Sequence, residues 1–451
     1  MPAYVARSEA QNECCDAACA IPYTAHESIK EACDTFLPSY DTIYPKSDAL
    51  KTLQEKVDDL SPSLRDVSLK MHDNFEIGWV EYKTSKLLSD YIETHGFKVN
   101  RSAYGTETGF EAIFKNGKGG RTIGFNSEMD ALPSIGHACG HNLIAIAGIG
   151  AAIATAHTMR AYNVPGRIIL LGTPAEEKDG GKIVMIKNGG YKSMDMCLMA
   201  HPAPFTALRP MLAVSECVVE FFGRNAHAAG KPWEGVNALD AAVLAYSNIS
   251  ALRQQIHPDS RIHLIIQGSE EWVCNIIPAH SKLQVGVRDL QQTKVVELKA
   301  KVEACFKAAA LATGCRVEFK WTMQYLDMHN NMTLGSEYKR YMETEWKTEV
   351  PVSNESFAST DFGDVTYELP ALHPFFAIRV ADGSSNHTPG FAKAAATKEA
   401  HASTITVTKG LAATAWRALM DDSFAEAARK EYLEVRKPQK PIERVQLNQN
   451  V

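Results

Sequence analysis

The sequence predicts an α/β protein in which a larger sheet-and-helix domain is interrupted by a smaller α+β module of the ferredoxin-like type. The first observation is alternation: "RTIGFNSEMDAL", "GRIILLGTP" and "MDMCLMAHP" read as apolar strands separated by helix-like segments, the pattern of a sheet with helices on its faces. The second is a change of order near Leu212, after which strand, helix, strand, strand, helix and strand follow in turn. The third is the return of sheet-like and helical segments, "ALHPFFAIRV" and "ASTITVTKGLAATAWRALM", once that module ends. A chain of 451 residues also exceeds one ordinary core. The expected division is 1–211 and 326–451 for the larger domain, with 212–325 as the inserted module.

From about Ser28 to Gly96 the chain reads as helices. "ALKTLQEKVDDL" and "HDNFEIGWVEYKTSKLLSDYIETHG" carry apolar residues at helical spacing, and His95-Gly96 is a C-cap signal. "FKVNRSAYG" and "GFEAIFKNG" then read as strands, with "NGKGG" as a turn. "NLIAIAGIGAAIATAHTM" is long enough for a buried helix, and "GGKIVMIKNGG" for a shorter one. In the module the strands are "AVSECVVEFFG", "RIHLIIQG", "KLQVGVRDL" and "RVEFKWTM"; its helices are "NALDAAVLAYSNISALRQQI" and "KVVELKAKVEACFKAAALATG".

A hydrophobic fraction of 45% and a charged fraction of 22% are ordinary for a globular protein. The net charge of -6, without a long basic run, argues against nucleic acid or anionic lipid as the main partner. The first thirty residues lack a basic stretch followed by an apolar one, and no run of about twenty apolar residues occurs later. A cytoplasmic protein with no membrane partner is therefore expected. Ten cysteines are too scattered for a small secreted disulfide framework. Cys14, Cys15 and Cys19 read as exposed or locally packed thiols before they read as metal ligands, and "RKPQKP" reads as a solvated tail.

In an open α/β sheet the ligand crevice lies beyond the carboxyl ends of the strands. Three such ends carry polar groups: Glu128 to His141, the pair Glu176 and Glu177, and His201. In "HACGH" an extended path puts His137, Cys139 and His141 on one side, whereas a helical path pairs His137 with His141. Imidazole, thiolate and carboxylate together suit zinc better than magnesium or calcium. The plainer alternative is a buried cysteine between turns. Adjacent glutamates at a strand end are either functional, one ligating a metal while the other takes a proton from water, or a solvated pair opening the "EEKDGGK" loop.

These residues belong to a longer series: "MDALP", "GHACGHN", "GTPAEE", "MAHP", "GRNAHAA", "NIIPAHSKLQVGVRD", "STDFGDV" and "NHTP". In that order they resemble the zinc aminoacylase and carboxypeptidase family, metallopeptidase family twenty, over nearly the whole chain after about residue 25. The resemblance is strongest to the amidohydrolase branch, which includes auxin-conjugate hydrolases, aminobenzoyl-glutamate hydrolase and a dipeptidase-like group. It implies a zinc-peptidase catalytic domain interrupted by a dimerisation domain, with one or two zinc ions, or manganese or cobalt in their place. It implies Cys139, His141, Glu177, His201 and His387 as metal ligands, Glu176 as general acid/base, and Asp130 as the carboxylate that orients a ligand. His227 would reach the site of a partner subunit in a homodimer, and Asn275 and Arg288 would bind a small-molecule amide or dipeptide.

Glu128 stands where many relatives carry aspartate, and Asn142 replaces an aspartate common in the auxin-conjugate group, which points toward the dipeptidase-like group. His137 would neighbour the site. Asp361 would either join it or cap a helix starting near Phe362, and His401 would be structural. The expected reaction is hydrolysis of the amide bond of an aminoacyl or N-acyl amino acid by metal-activated water. Its rivals are a specialised biosynthetic hydrolase trimming a peptide-like metabolite and a catalytically silent zinc-binding dimeric scaffold. The intact Glu176-Glu177 pair favours catalysis, and the sequence does not separate the two hydrolases.

Overall fold

The computed structural model describes residues 48–269 and 272–435. Cys14, Cys15, Cys19, the tail "RKPQKP" and the start of the first helical region lie outside them. The chain begins with helix α1 (Asp48–Asp73), which buries Leu53, Val57, Leu60, Leu64, Val67 and Met71 along one stripe. Helix α2 (Tyr82–Thr94) follows and stops at His95, with Gly96 at a φ of +86°, as the C-cap signal predicts. The segment "HDNFEIGWVEYKTSKLLSDYIETHG" is not one helix, however. Glu76 turns back to accept the backbone N–H of Lys83 at 3.2 Å and of Thr84 at 2.8 Å, so its carboxylate caps α2 and the chain between Asp73 and Tyr82 is irregular.

Strands β1 (Lys98–Arg101), β2 (Phe110–Asn116) and β3 (Thr122–Glu128) lead to helix α3 (His141–Ala161). Next come β4 (Gly166–Thr173), the short helix α4 (Gly181–Lys187), β5 (Met196–Leu198) and β6 (His201–Ala203). The chain then makes β7 (Ala213–Phe222), α5 (Ala238–Leu252), β8 (Arg261–Gln267), β9 (His280–Asp289), α6 (Gln292–Thr313) and β10 (Arg316–Tyr325). It returns through α7 (Met332–Glu345), α8 (Phe362–Thr366), β11 (Ala371–Leu372) and β12 (Phe375–Ala377). Helices α9 (Pro389–Ala395), α10 (Lys398–Met420) and α11 (Asp422–Val435) complete the described chain.

Six strands form one sheet in the order β1-β2-β4-β3-β5-β11, with β4, β3, β5 and β11 parallel. Their carboxyl ends therefore share one edge. Helix α3 packs against β3, α1 and α10, and its Ala, Gly and Ile residues are buried on nearly every side. Its length and apolarity match a membrane span, but protein encloses it. Close approach explains its glycines: a Cβ on Gly148 would lie 2.4 Å from the Asn126 carbonyl oxygen in β3.

"MDMCLMAHP" is not one strand either. After β5, the His201 N–H bonds to the Pro374 carbonyl at 3.0 Å, and β6 pairs with β12 in a separate two-stranded sheet. That change of partner carries His201 off the end of the main sheet.

The residues of β7 to β10 form a four-stranded antiparallel sheet in the order β10-β7-β9-β8, with α5 and α6 on one face. Its own core includes Val219, Phe221, Ile249, Val302 and Phe306. The opposite face bears Val214, Glu216, Arg288, Met323 and Tyr325, which look into a cavity shared with the strand ends of the larger sheet.

Candidate active site and metal centre

The loop after β3 supplies Asp130, fully buried. Its carboxylate accepts the N–H of Glu176 at 3.1 Å and of Glu177 at 3.0 Å, and lies 3.3 Å from His141 Nδ1. One side chain thus fixes the loop after β4 and turns the imidazole so that Nε2 faces inward. Gly140, at a φ of +81°, separates Cys139 from the start of α3; a Cβ there would sit 2.5 Å from Pro202 Cγ. His201 Nδ1 lies 2.8 Å from the Pro202 carbonyl oxygen. A carbonyl only accepts, so Nδ1 carries the proton and Nε2 keeps its lone pair, 3.4 Å from Cys139 Sγ.

Two non-glycine residues at the site adopt left-handed backbone, Ala175 at a φ of +52° and His387 at +66°. Each is held. The Ala175 N–H donates to buried Glu81 at 2.8 Å, and the His387 N–H donates to the Ala138 carbonyl at 2.9 Å. The His387 ring then places Nε2 3.3 Å from Glu177 Oε1.

The residues read from the sequence as ligands converge. Donor atoms of Cys139, His141 and His201 lie within 4.8 Å of one another, as do those of Cys139, Glu177 and His387, and those of His141, Glu176 and Glu177. His141 Nε2, Glu177 Oε1 and Glu128 Oε2 are buried and make no hydrogen bond, only longer ion-pair contacts: His141 Nε2 lies 3.4 Å from Glu128 Oε2 and 3.7 Å from Glu177 Oε1. Each such orphaned atom costs about 1–3 kcal/mol if nothing answers it. A divalent cation answers them together, and the mixed sulfur, nitrogen and oxygen donors suit a zinc-like ion, so the residues fit a metal.

The electrostatics agree. Burial, reinforced by Glu177, holds the Cys139 thiol far above its ordinary range, so a thiolate there needs a neighbouring cation. Burial lowers His201 to about 4 and keeps it neutral. Burial and then the carboxylates of Glu128 and Glu177 push the Glu176 carboxyl well up. Burial alone would raise Glu177 too, but His387 and His141 hold it below the usual carboxylate range.

Lys182 was not expected here. Its fully buried ammonium lies 2.6 Å from Glu128 Oε1 and 2.5 Å from Asp361 Oδ1, and its backbone N–H donates to Asp361 Oδ2 at 2.9 Å. Oxygens of Glu128, Glu176 and Asp361 also lie within 4.8 Å of one another, but this ammonium already bridges two of them. Asp361 precedes α8 without capping it through its side chain. His137 is buried beside His72, their ring centres 6.3 Å apart, and joins none of the donor groups. His401 pairs with Ser61 at 3.0 Å, away from the site. His373, also unexpected, is buried with its ring centre 5.6 Å from that of His201.

Cys139, Glu176, Glu177, His201 and His387 open on a cavity of about 620 Å³, and Arg288 enters it from the four-stranded sheet. Arg288 Nη1 donates to Ser359 Oγ at 2.9 Å. His227 and Asn275 do not line this cavity; both are exposed on the module. The His227 Nδ1 accepts the Gly230 N–H at 3.0 Å, which leaves the proton of the neutral ring on Nε2.

Residues 214–314 match the peptidase dimerisation domain model of the M20 family. The chain is 37% identical to the Xaa-Arg dipeptidase of Mus musculus, over 84% of this chain and 90% of that relative. It is 26% identical to a p-aminobenzoyl-glutamate hydrolase chain of Escherichia coli (strain K12), over 82% of this chain and 92% of the relative. Among solved structures, the YXEP protein of Bacillus subtilis, described as a dinuclear metal binding peptidase from the M20 family, superposes with a TM-score of 0.60 at 18% identity, over 80% of this chain and 99% of its own. The aminobenzoyl-glutamate utilization protein of Klebsiella pneumoniae superposes with a TM-score of 0.63 at 19% identity, over 82% of this chain and 99% of its own.

Fold and site together define an enzyme of the metal-dependent amidohydrolase class. The chain belongs to the M20 peptidase family, in its amidohydrolase branch and near the dipeptidase group.

Proposed function

We propose that this protein is a dipeptidase that hydrolyses the amide bond of a dipeptide with a free carboxylate, using a divalent metal held by Cys139, His141, Glu177, His201 and His387. The observation that carries the reading is a set of buried, unanswered donor atoms beside Glu176, in a cavity that Arg288 also enters. Zinc fits the donors best; one or two ions are accommodated by the overlapping groups, with manganese and cobalt as alternatives. The relatives named Xaa-Arg dipeptidase favour a dipeptide over an N-acyl amino acid.

A metal bound here lowers the pKa of water and polarises a carbonyl. Glu176 takes the proton from the attacking water at its carboxylate and returns it to the departing nitrogen. Asp130 holds the Glu176 N–H, and the Tyr325 hydroxyl donates to the Glu176 carbonyl at 2.8 Å, so the backbone of the base is pinned from both sides. Arg288 pairs with the substrate carboxylate. His227 donates its Nε2 proton to the developing oxyanion from the partner subunit of a homodimer. Two facts support the dimer: His227 and Asn275 lie outside the cavity of their own chain, and their module matches a dimerisation domain.

The test couples metal content to turnover. The protein is stripped with chelator, reloaded with zinc, manganese or cobalt, and offered β-alanyl and α-aminoacyl dipeptides, N-acyl amino acids and indole-acetyl conjugates. Metal-restored release of amino acids from dipeptides is expected. Cleavage confined to N-acyl substrates, or turnover indifferent to chelation, refutes the proposal.

A further inference from the structure

The loop after β4 is held by a residue that the proposed chemistry does not use. Three consecutive N–H groups follow Pro174, those of Ala175, Glu176 and Glu177, and each is received by a buried carboxylate. Asp130 takes the last two, one on each oxygen, from the loop after β3. Glu81 takes the first at 2.8 Å, and it comes from the irregular segment between α1 and α2. Its other oxygen accepts the buried Thr108 hydroxyl at 2.7 Å.

Glu81 stands at the N-cap of α2, where an acidic side chain ordinarily accepts N–H groups of its own helix, yet its side chain makes no such bond. Glu76 does so instead, accepting the N–H groups of Lys83 and Thr84. Glu81 is thereby released to face the loop after β4. The same segment also reaches the loop after β3, where the Ala131 N–H donates to the Glu76 carbonyl at 2.8 Å and Ile77 bridges to Ala131. Gly78 lets it lie close, since a Cβ there would sit 3.1 Å from Ala175 Cα. Residues 76–81 thus brace both loops, at the neighbours of Asp130 and of Glu176.

Ala175 is where the hold matters. Its φ of +52° is a left-handed conformation that a Cβ disfavours, and relaxing it would turn the peptide that leads into Glu176. We propose that Glu81 is a positioning residue for the reaction: by holding the Ala175 N–H it keeps this left-handed turn and aims the Glu176 carboxylate at the metal centre. This rests on the reading of Glu176 as the base. The requirement is an acceptor at the right reach, and a negative charge is not needed. Burial, partly offset by the Thr108 bond and reinforced by Asp130, raises the Glu81 carboxyl from its ordinary value. A neutral amide fits the same place, with its oxygen toward Ala175 and its NH2 toward the Thr108 hydroxyl oxygen.

The experiment compares metal-loaded, full-length protein with Glu81→Asp, which keeps the charge and loses the reach, and Glu81→Gln, which keeps the reach and loses the charge. Glu81→Asp is expected to lower kcat by about 10²-fold, with KM and metal content near the parental values because Asp130 still holds Glu177. Glu81→Gln should keep the greater part of kcat. Adding Ala175→Gly to Glu81→Asp should recover part of the loss, since glycine adopts the left-handed turn without the Cβ penalty. The opposite ranking, with Asp active and Gln inactive, overturns the assignment, as does a loss that follows metal content. Hydrogen exchange at the Ala175 amide reads the hold without turnover. Exchange that is fast in Glu81→Asp and slow in Glu81→Gln, in a protein that cleaves no dipeptide, keeps the hold and refutes the hydrolytic reading. Metal-dependent dipeptide cleavage that Glu81→Asp leaves at the parental kcat does the reverse.

Discussion

The strand ends of the six-stranded sheet and the open face of the four-stranded sheet meet at one cavity, but they present their groups in opposite ways. On the first side every titratable group except His387 is largely buried, and backbone bonds position the candidate ligands and Glu176. On the second side Arg288 and Glu216 are half-buried, and His227 and Asn275 are exposed and outside the cavity. The candidate metal-binding groups and Glu176 are thus gathered within one chain, where burial and fixed dipoles act most strongly. On the proposed reading, recognition falls to a surface whose remaining members are completed by a substrate or a second copy.

The largest effect should come from Glu176. Replacing it with glutamine keeps the shape and removes the proton acceptor, so turnover should fall by about 10²–10⁴-fold while metal content stays at the parent level. Full turnover in Glu176→Gln would move the acid/base to another residue and undo the contrast at its centre.

Lys182 tests the buried side in another way. Its ammonium answers Glu128 and Asp361, and Lys182→Met leaves two fully buried carboxylates facing each other. Breaking such a group typically costs about 3–5 kcal/mol, readable as a drop in the denaturant midpoint. Adding Glu128→Gln and Asp361→Asn should recover much of the loss, because uncharged partners no longer need the ammonium. A Lys182→Met protein as stable as its parent would mean the cluster is already neutralised by protons.

The open side makes a prediction about assembly. If His227 serves the neighbouring subunit, His227→Ala and Glu176→Gln proteins are each inactive but complement when mixed. Half of the exchanged dimers are mixed, and one of the two sites in each is intact, so about a quarter of parental activity returns. No recovery after verified subunit exchange would place the whole reaction within one chain.

What was legible in the sequence follows the same division. That Cys139, His141, Glu177, His201 and His387 come together was readable because the motifs that carry them also carry the glycine turn and strand ends that aim them. The βαββαβ order of the module was readable from its periodicity. Lys182 was not, because a lysine after two glycines looks like the solvated start of a helix, and only the fold brings Asp361 to it. Glu81 was hidden inside an apparently continuous helical pattern, which Glu76 breaks by capping α2. Glu216 alternates along β7 as an ordinary outward-facing residue would; its place on the cavity wall depends on segments far away in the chain.

The smallest effect lies at the seam between the two regions. Asp364 of α8 accepts the Leu326 N–H at 3.0 Å, just beyond the end of β10, and so ties the returning strand of the module to the larger domain. Burial, partly offset by that bond, raises its carboxyl from 3.8 to about 7. The folded protein therefore keeps a proton that the unfolded chain releases near its ordinary pKa. Stability from this group is fully present below pH 3.8 and is lost as pH rises through about 7. Asp364→Asn keeps an oxygen for Leu326 and removes the titration, so in chelated protein the variant should match its parent near pH 4 and exceed its Tm by about 2 °C at pH 8. An offset that does not change with pH would show that Asp364 is ionised in the fold, and that the seam is held by a charged acceptor as open to solvent as the module's own face.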